Sequence, residues 1–296
     1  MRAPKAPQYK IGVWGPPSAG KTVYLWVYTY LIEHLRQLKD REWHIETDDE
    51  THKALGQLRS RILNRDRNLP DSTSEEKEYR FVVSGYSSFW LGRLQASVMF
   101  TDWPGEHLRE DDRDAGFYKE LATCHAILCF IDPLLDPRRV FRLNTDETPE
   151  DSEQWGFYQR KLEVLFRNLI EPEQEERYVR QIMAFLVTKV DHNQRWWDLR
   201  HRGEELLREI ILDAGMTMIE NHCKTYRIFP CSSIGAVLSP TGIYKRSNLE
   251  EDRSAGDSVP RYRLQDITNF ERKPFGVVEP MTWILEQLKW RELWKK

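Results

Sequence analysis

Apolar residues along this chain follow two different spacings, and these predict strands and helices in turn. An apolar run at 9–14 ends at a glycine, and helical periodicity then covers 21–38. The runs at 124–131 and 181–187 are continuously apolar, which is typical of strands buried on both faces of a sheet. Because helices must cover both faces of such a sheet, the pattern indicates an α/β fold.

Weaker patterns complete the predicted order of elements. Strands are also predicted at 78–84, 94–101 and 226–231, and helices at about 52–63, 153–170 and 197–223 and through Met281, Ile284, Leu285 and Leu288. The alternation predicts a three-layer αβα fold with a mainly parallel sheet. Three polar stretches, 41–71, 134–152 and 235–275, are interpreted as insertions within one domain that covers 1–296.

Composition excludes several classes of protein. Lys and Arg number 44 against 47 Asp and Glu, so there is no basic excess for binding nucleic acid. The apolar runs are far shorter than the roughly 20 residues that span a bilayer. The N-terminus lacks the apolar segment of a signal peptide. We therefore expect a cytoplasmic protein with no membrane span, in which the four cysteines are reduced structural thiols rather than metal ligands.

A glycine-rich sequence stands between the first predicted strand and the first predicted helix. Residues 15–22 read G-P-P-S-A-G-K-T, a complete G-x-x-x-x-G-K-T pattern in its required context. Its backbone N–H groups can surround phosphate oxygens, while the lysine neutralises their charge and the threonine hydroxyl can ligate Mg²⁺. This predicts a P-loop NTPase whose nucleotide contacts include Gly15, Ser18, Ala19, Gly20, Lys21 and Thr22.

A second motif, F-T-D-W-P-G-E, follows the strand predicted at 94–101. Asp102 comes at the strand end, where a carboxylate can hold Mg²⁺ beside a bound nucleotide. Gly105 can offer its backbone N–H to the terminal phosphate without steric conflict. A D-x-x-G sequence alone is a common turn, but its place after a phosphate loop favours the nucleotide-binding interpretation.

Two further motifs follow buried strands and are suited to reading a base. The sequence Thr188-Lys189-Val190-Asp191 ends in a carboxylate that can accept hydrogen bonds from N1–H and N2–H₂ of guanine. Adenine has no such pair of donors, so the carboxylate selects guanine. The lysine stem can lie along the plane of the base. The Cys231-Ser232-Ser233 sequence is suited to donating backbone N–H bonds to the base carbonyl.

These four motifs, in this order, resemble those of the translation-factor-related and Ras-like GTPases. Residues 15–22, 102–105, 188–191 and 231–233 match the G1, G3, G4 and G5 motifs, although Thr188 stands where the family usually has asparagine. The wider sequence looks most like the bacterial double-GTPase group of multi-gene conflict systems. The resemblance implies GTP or GDP as ligand, Mg²⁺ as cofactor, and control of an effector or regulatory protein through the switch regions and insertions.

The same resemblance points to candidate catalytic residues. The G2 threonine, which closes on Mg²⁺ and the γ-phosphate, must precede the second strand, so Thr73 is the candidate and Ser72 or Thr51 the fallback. The water-orienting group is sought just after Gly105, where Glu106 and His107 stand. A carboxylate is repelled by the γ-phosphate, which favours the histidine; both could instead contact a partner.

The sequence leaves several alternatives open. The first expectation is a switch that hydrolyses GTP slowly; the second is a pseudo-GTPase scaffold that holds nucleotide without turnover, and a P-loop ATPase is the third. Trp196 and Trp197 could stack on guanine, but packing in a core or an interface is the favoured interpretation. A homodimer or heterodimer would be one way to supply missing catalytic groups.

Overall fold

The computed structural model describes residues 8–37, 44–63, 77–86, 93–102, 115–134, 151–170, 177–252, 261–265, 267 and 273–293. Seven strands in this part of the chain form one sheet: β1 (Gln8–Trp14), β2 (His44–Thr47), β3 (Lys77–Tyr86), β4 (Arg93–Asp102), β5 (Ala126–Ile131), β6 (Ile182–Val187) and β7 (Tyr226–Pro230). Their order is β2-β3-β4-β1-β5-β6-β7. The five strands from β4 to β7 in this order are parallel. Strand β3 pairs antiparallel with both of its neighbours, β2 and β4.

Helices cover both faces of this sheet. They are α1 (Lys21–Gln37), α2 (Asp49–Leu63), α3 (Ala115–Thr123), α4 (Asp151–Leu169), α5 (Gln194–Asp198), α6 (Gly203–His222) and α7 (Glu279–Leu293). Buried side chains of α1, α2 and α7 share one hydrophobic core with the sheet, and those of α3, α4 and α6 share a second core on the opposite face. The predicted three-layer αβα fold is therefore confirmed.

The central strands supply both cores in alternation. All six residues of β5 are fully buried, with Ala126, Leu128 and Phe130 in the first core and Ile127, Cys129 and Ile131 in the second. Successive side chains of a strand point to opposite faces, so a strand covered on both sides needs apolar residues at every position. This explains why β5 and β6 were the clearest strands in the sequence.

The structure adds elements that the sequence did not predict. Strand β2 extends the sheet from within the stretch 41–71, and α3 precedes β5. Two hairpins occupy much of 235–275: β8 (Ala236–Leu238) pairs with β9 (Tyr244–Ser247), and β10 (Leu249–Asp252) pairs with β11 (Arg261–Leu264). Strands of three or four residues show too few alternations for their period to be read. The helical region predicted at 197–223 is divided into α5 and α6.

The cysteines behave as structural residues. All four are free and buried, and burial raises the pKa of each, in the case of Cys124 to about 12. Over the described ranges, no group of three or more His, Cys, Asp or Glu side chains could hold a metal ion. Among the described helices, none has the length and hydropathy needed to cross a membrane.

Candidate nucleotide-binding site

The predicted phosphate loop connects β1 to α1 and lies directly against the neighbouring strand. Gly15 follows β1, and a Cβ atom added to it would lie 2.7 Å from Cβ and 2.9 Å from the carbonyl oxygen of Phe130 in β5. Gly15 and Gly20 also have positive φ angles, +154° and +86°. Glycine at these two positions lets the backbone turn tightly and approach the sheet.

Lys21 is held inside this loop. Its Nζ donates hydrogen bonds to the carbonyl oxygens of Gly15, at 3.1 Å, and Pro16, at 2.9 Å, and the residue is buried. Lys21 is also the first residue of α1, and Thr22 follows in the same turn. A positive charge is thereby fixed at a helix N-terminus, where backbone N–H groups and the helix dipole already favour an anion.

Asp102 lies at the carboxyl end of β4, beside the end of β1 where the phosphate loop begins. Strand β4 is parallel to β1, with Thr101 opposite Gly12, so Asp102 ends β4 just before the level at which the phosphate loop begins. Carboxyl ends of parallel strands share one edge of a sheet, which is where ligands bind in α/β proteins. The backbone thus places Asp102 near the loop, and its role in Mg²⁺ binding remains a prediction.

Thr188 joins the end of β6 to the end of β5. Its backbone N–H and its hydroxyl both donate to the carbonyl oxygen of Ile131, at 2.9 Å and 3.2 Å. The residue is buried. The threonine therefore has a defined structural task at the position where related proteins usually have asparagine.

Lys189 forms an ion pair that the sequence did not predict. Its Nζ lies 2.7 Å from Oδ2 of Asp132, a buried residue at the end of β5. The Tyr158 hydroxyl accepts a hydrogen bond from the Asp132 N–H at 2.6 Å and donates to the Asp132 carbonyl oxygen at 3.0 Å. Asp132, which directly follows the strand predicted at 124–131, is thus the ion-pair partner of Lys189 in the predicted base-reading motif.

The carboxylate predicted to read the base is almost fully enclosed. Asp191 is 2% exposed, and its Oδ1 and Oδ2 accept hydrogen bonds from the hydroxyls of Ser232 and Ser247, each at 2.5 Å. The Tyr244 hydroxyl donates to the Asp191 carbonyl oxygen at 2.8 Å. Burial raises the pKa of Asp191 above its ordinary value, and the two serine hydroxyls partly oppose this effect because they stabilise the charged form.

Ser232 is brought to Asp191 by the loop after β7. The Cys231 N–H donates to the Val187 carbonyl oxygen at 2.7 Å, which aligns this loop with the end of β6. Ser232 is fully buried, and its Oγ accepts a hydrogen bond from the Gly235 N–H at 2.8 Å. The two predicted base motifs are thus adjacent in space, and Ser233 follows in the same loop.

Several predicted residues lie outside the described part of the chain. These are Ser72, Thr73, Gly105, Glu106 and His107, and their roles remain predictions. Thr51, a fallback for the G2 threonine, lies in the first turn of α2. Its hydroxyl accepts a hydrogen bond from the Arg80 N–H at 2.9 Å, so it joins α2 to β3, next to the outermost strand β2.

The tryptophans after the base motif pack within the protein. Trp197 is buried, with ring centroids 5.9 Å from Tyr244 and 6.3 Å from Phe275, and the Arg200 guanidinium lies 4.5 Å above its ring. These contacts support packing rather than base stacking for Trp197. They also fix the segment after Asp191 against the β8–β9 hairpin.

The chain matches several solved structures at low sequence identity. The Arl6 small GTPase of Trypanosoma brucei with bound GppNp shares 11% identity, with 76% of this chain and 87% of that chain covered and a TM-score of 0.34. The Ski7 GTPase-like domain of S. cerevisiae with GDP and phosphate shares 15% identity, with coverage of 81% and 46% and a TM-score of 0.39. This chain also spans 31% of the elongation factor SelB of Methanococcus maripaludis, at 12% identity and a TM-score of 0.34.

No curated protein matches the sequence. The model of one family, described as Double-GTPase 2, matches residues 10–234, which include all four motifs. The predicted resemblance to the double-GTPase group is thereby confirmed. Because the match covers well over half of the chain, the protein belongs to the Double-GTPase 2 family.

Proposed function

We propose that this protein is a GTP-binding switch that binds GTP with Mg²⁺ and hydrolyses it slowly to GDP and phosphate. The single observation that carries the proposal is the buried carboxylate of Asp191, which the fold places on the sheet edge that also holds Lys21. One group is suited to guanine and the other to phosphate. A guanine nucleotide satisfies both at once.

The phosphate half of the site would work mainly through positioning and charge. Lys21 and the N–H groups of the loop would hold the β- and γ-phosphates. Thr22, in the first turn of α1, and Asp102, at the end of β4, are oxygen donors of the kind Mg²⁺ prefers, and we propose Thr73 as the third. Mg²⁺ would neutralise charge that develops on the phosphate oxygens.

For hydrolysis, we propose that His107 orients the attacking water. Glu106 is the less suitable group because its negative charge opposes approach to the γ-phosphate. The resulting change in the switch regions would alter contacts with an effector or regulatory protein. A dimer across the nucleotide face could supply further catalytic groups.

A scaffold that holds nucleotide without turnover is the second candidate. Glu106 stands where many related GTPases have glutamine, which favours this alternative. A P-loop ATPase is the weaker third candidate, since adenine offers the Asp191 carboxylate no N1–H donor.

The proposal is tested by titrating the protein with a fluorescent GTP analogue in Mg²⁺. We expect Lys21→Ala to weaken binding at least 100-fold, because a charge-assisted contact to phosphate is lost; the magnitude follows from about 3 kcal/mol for such a bond. Lys53→Ala, at an exposed position of α2, is the control and should bind normally. Equal binding by the Lys21 variant would refute the proposal.

A second measurement separates the switch from the scaffold. Single-turnover phosphate release from prebound GTP should be slow but complete with Mg²⁺, and it should stop when EDTA is added. A scaffold would release no phosphate under either condition.

A further inference from the structure

Ser247 occupies a site that guanine would need. It is the last residue of β9, in the stretch 235–275, and its hydroxyl donates to Oδ2 of Asp191 at 2.5 Å. Ser232 already occupies Oδ1. With 2% of the residue exposed, Asp191 has almost no surface left for a base.

The position of Ser247 is fixed by its neighbours. Asn248 is fully buried, and it donates from its backbone N–H to the carbonyl oxygen of Gly235 and from Nδ2 to that of Ile234, both at 3.1 Å. On the other side, Tyr244 donates to the carbonyl oxygen of Asp191. The hydroxyl is therefore held against the carboxylate from both sides along the chain.

The two serines on Asp191 have different relations to the base pocket. Ser232 belongs to the predicted base-reading loop, and its Oγ is held by the Gly235 N–H. Ser247 comes from the β8–β9 hairpin, and its Oγ also accepts a weaker bond from the Leu249 N–H at 3.2 Å. The Ser247 hydroxyl can thus leave Asp191 and still keep a hydrogen-bonding partner.

Guanine and Ser247 offer the carboxylate the same kind of bond. Guanine binds a carboxylate through N1–H and N2–H₂, with one donor to each oxygen, and Ser247 supplies one O–H donor to Oδ2. An enclosed oxygen must lose a neighbouring group before a planar base can reach it. A guanine donor can replace Ser247 on Oδ2, and its second donor can share Oδ1 with Ser232, so both oxygens are hydrogen-bonded before and after binding.

We propose that the Ser247 hydroxyl competes with guanine for Asp191, so that binding of the base releases the end of β9. The inference rests on the proposed function, because it concerns the same guanine site. Base binding and the position of the β8–β9 hairpin are thereby coupled: each nucleotide that binds must displace Ser247, and any force that moves β9 away opens the site.

Removal of the hydroxyl tests the competition. In GDP titrations we expect Ser247→Ala to bind about tenfold more tightly than the natural protein, since the base no longer displaces a charge-assisted hydrogen bond. Ser247→Thr, which keeps a hydroxyl, should bind with the natural affinity. Thr241→Ala, at an exposed position of the same hairpin, is the control and should also bind normally.

The contrary results are distinct. If Ser247→Ala binds GDP with unchanged affinity, the serine does not compete; if it binds more weakly, the serine instead holds the carboxylate ready for the base. Either result overturns the inference while leaving the guanine site intact. Failure of the natural protein itself to bind GDP would reject the proposed function instead.

Hydrogen exchange on the natural protein gives an independent readout that needs no variant. Addition of GDP should speed the exchange of backbone amides at the end of β9 (Tyr244–Ser247), because Ser247 loses its hydrogen bond to Asp191. Slower or unchanged exchange in β9, together with protection of the phosphate loop, would show that the base binds without releasing the hairpin.

Discussion

Asp191 combines a proposed role in guanine recognition with nearly complete burial. Its carboxylate is enclosed, and enclosure disfavours charge, so two hydroxyls and a nearby histidine stabilise the ionised form. The net result is still a raised pKa. Titratable groups whose surroundings shift their pKa in this way are concentrated at functional sites. The ionised form of Asp191, which the proposed recognition of guanine requires, therefore destabilises the folded protein.

A stability measurement tests whether the ionised carboxylate of Asp191 destabilises the folded protein. Because its folded pKa is raised, Asp191 holds a proton more tightly in the folded protein than in the unfolded chain, and stability is lost as pH rises between the ordinary and the raised value. Asp191→Asn imitates the neutral form. We expect it to raise the free energy of unfolding at pH 7.5, and to raise it by less at pH 4.

Urea denaturation at the two pH values measures this difference. Asp198→Asn, an exposed carboxylate in α5, is the matched control and should give the same small difference at both pH values. A larger gain for Asp191→Asn at pH 4 than at pH 7.5 would contradict the account.

At the level of residues, sequence reasoning found the groups that belong to contiguous motifs. The structure brings Asp191 and Ser232 into contact, as the motif interpretation implies. Sequence reasoning could not find Asp132 or Ser247, because their partners lie 57 and 56 positions away and neither residue belongs to a local pattern. Contacts of this kind exist only after the sheet has formed.

The phosphate loop and β5 are in close contact at the site. Gly15 approaches the Phe130 backbone so closely that no side chain fits between them. This contact sets the position of the loop relative to the sheet. Function at this edge therefore depends on a packing detail of β5 as well as on the loop sequence.

Two glycine substitutions should have opposite effects. Gly15→Ala adds a Cβ at 2.7 Å from the Phe130 Cβ, at a positive φ angle, and we expect it to lower the free energy of unfolding by about 2 kcal/mol and to weaken nucleotide binding. Gly56→Ala, in α2, meets nothing within 4 Å and should raise stability by about 0.5 to 1 kcal/mol. Thermal denaturation and GTP titration of both variants provide the measurement.

Equal stability of the two variants would contradict the close contact between Gly15 and Phe130 of β5. An unchanged affinity in Gly15→Ala would show that the loop position is unimportant for binding.

Among the elements, length and periodicity decided what could be predicted. Strands β5 and β6 and helix α1 carry six or more residues of consistent pattern, and they lie close to where the sequence placed them. The β8–β9 hairpin has strands of three and four residues, one with a register shift, and it has no pattern to read. The hairpin is also held from outside, by hydrogen bonds from Tyr244 to Asp191 and from Asn248 to Gly235.

At the scale of the molecule, one sheet separates two hydrophobic cores and presents its motif residues at one edge. The order β4-β1-β5-β6-β7 brings the ends of β1, β4, β6 and β7 together, although their sequence positions are far apart. The fold class followed from alternating elements. The stretch 235–275, interpreted from sequence as an insertion, also contacts the proposed base-reading residue Asp191 through Ser247 and Tyr244.

The central claim is that Asp191 selects guanine, and a competition titration tests it most directly. GDP, ADP and XDP would each compete against a fluorescent guanine nucleotide in the natural protein and in Asp191→Asn. An asparagine amide can donate to the C2 carbonyl of xanthine but meets a donor in guanine. The account predicts that the natural protein binds GDP roughly 100-fold more tightly than ADP or XDP. In Asp191→Asn it predicts that XDP binds more tightly than GDP. Equal binding of ADP and GDP, or a retained preference for GDP in Asp191→Asn, would contradict it.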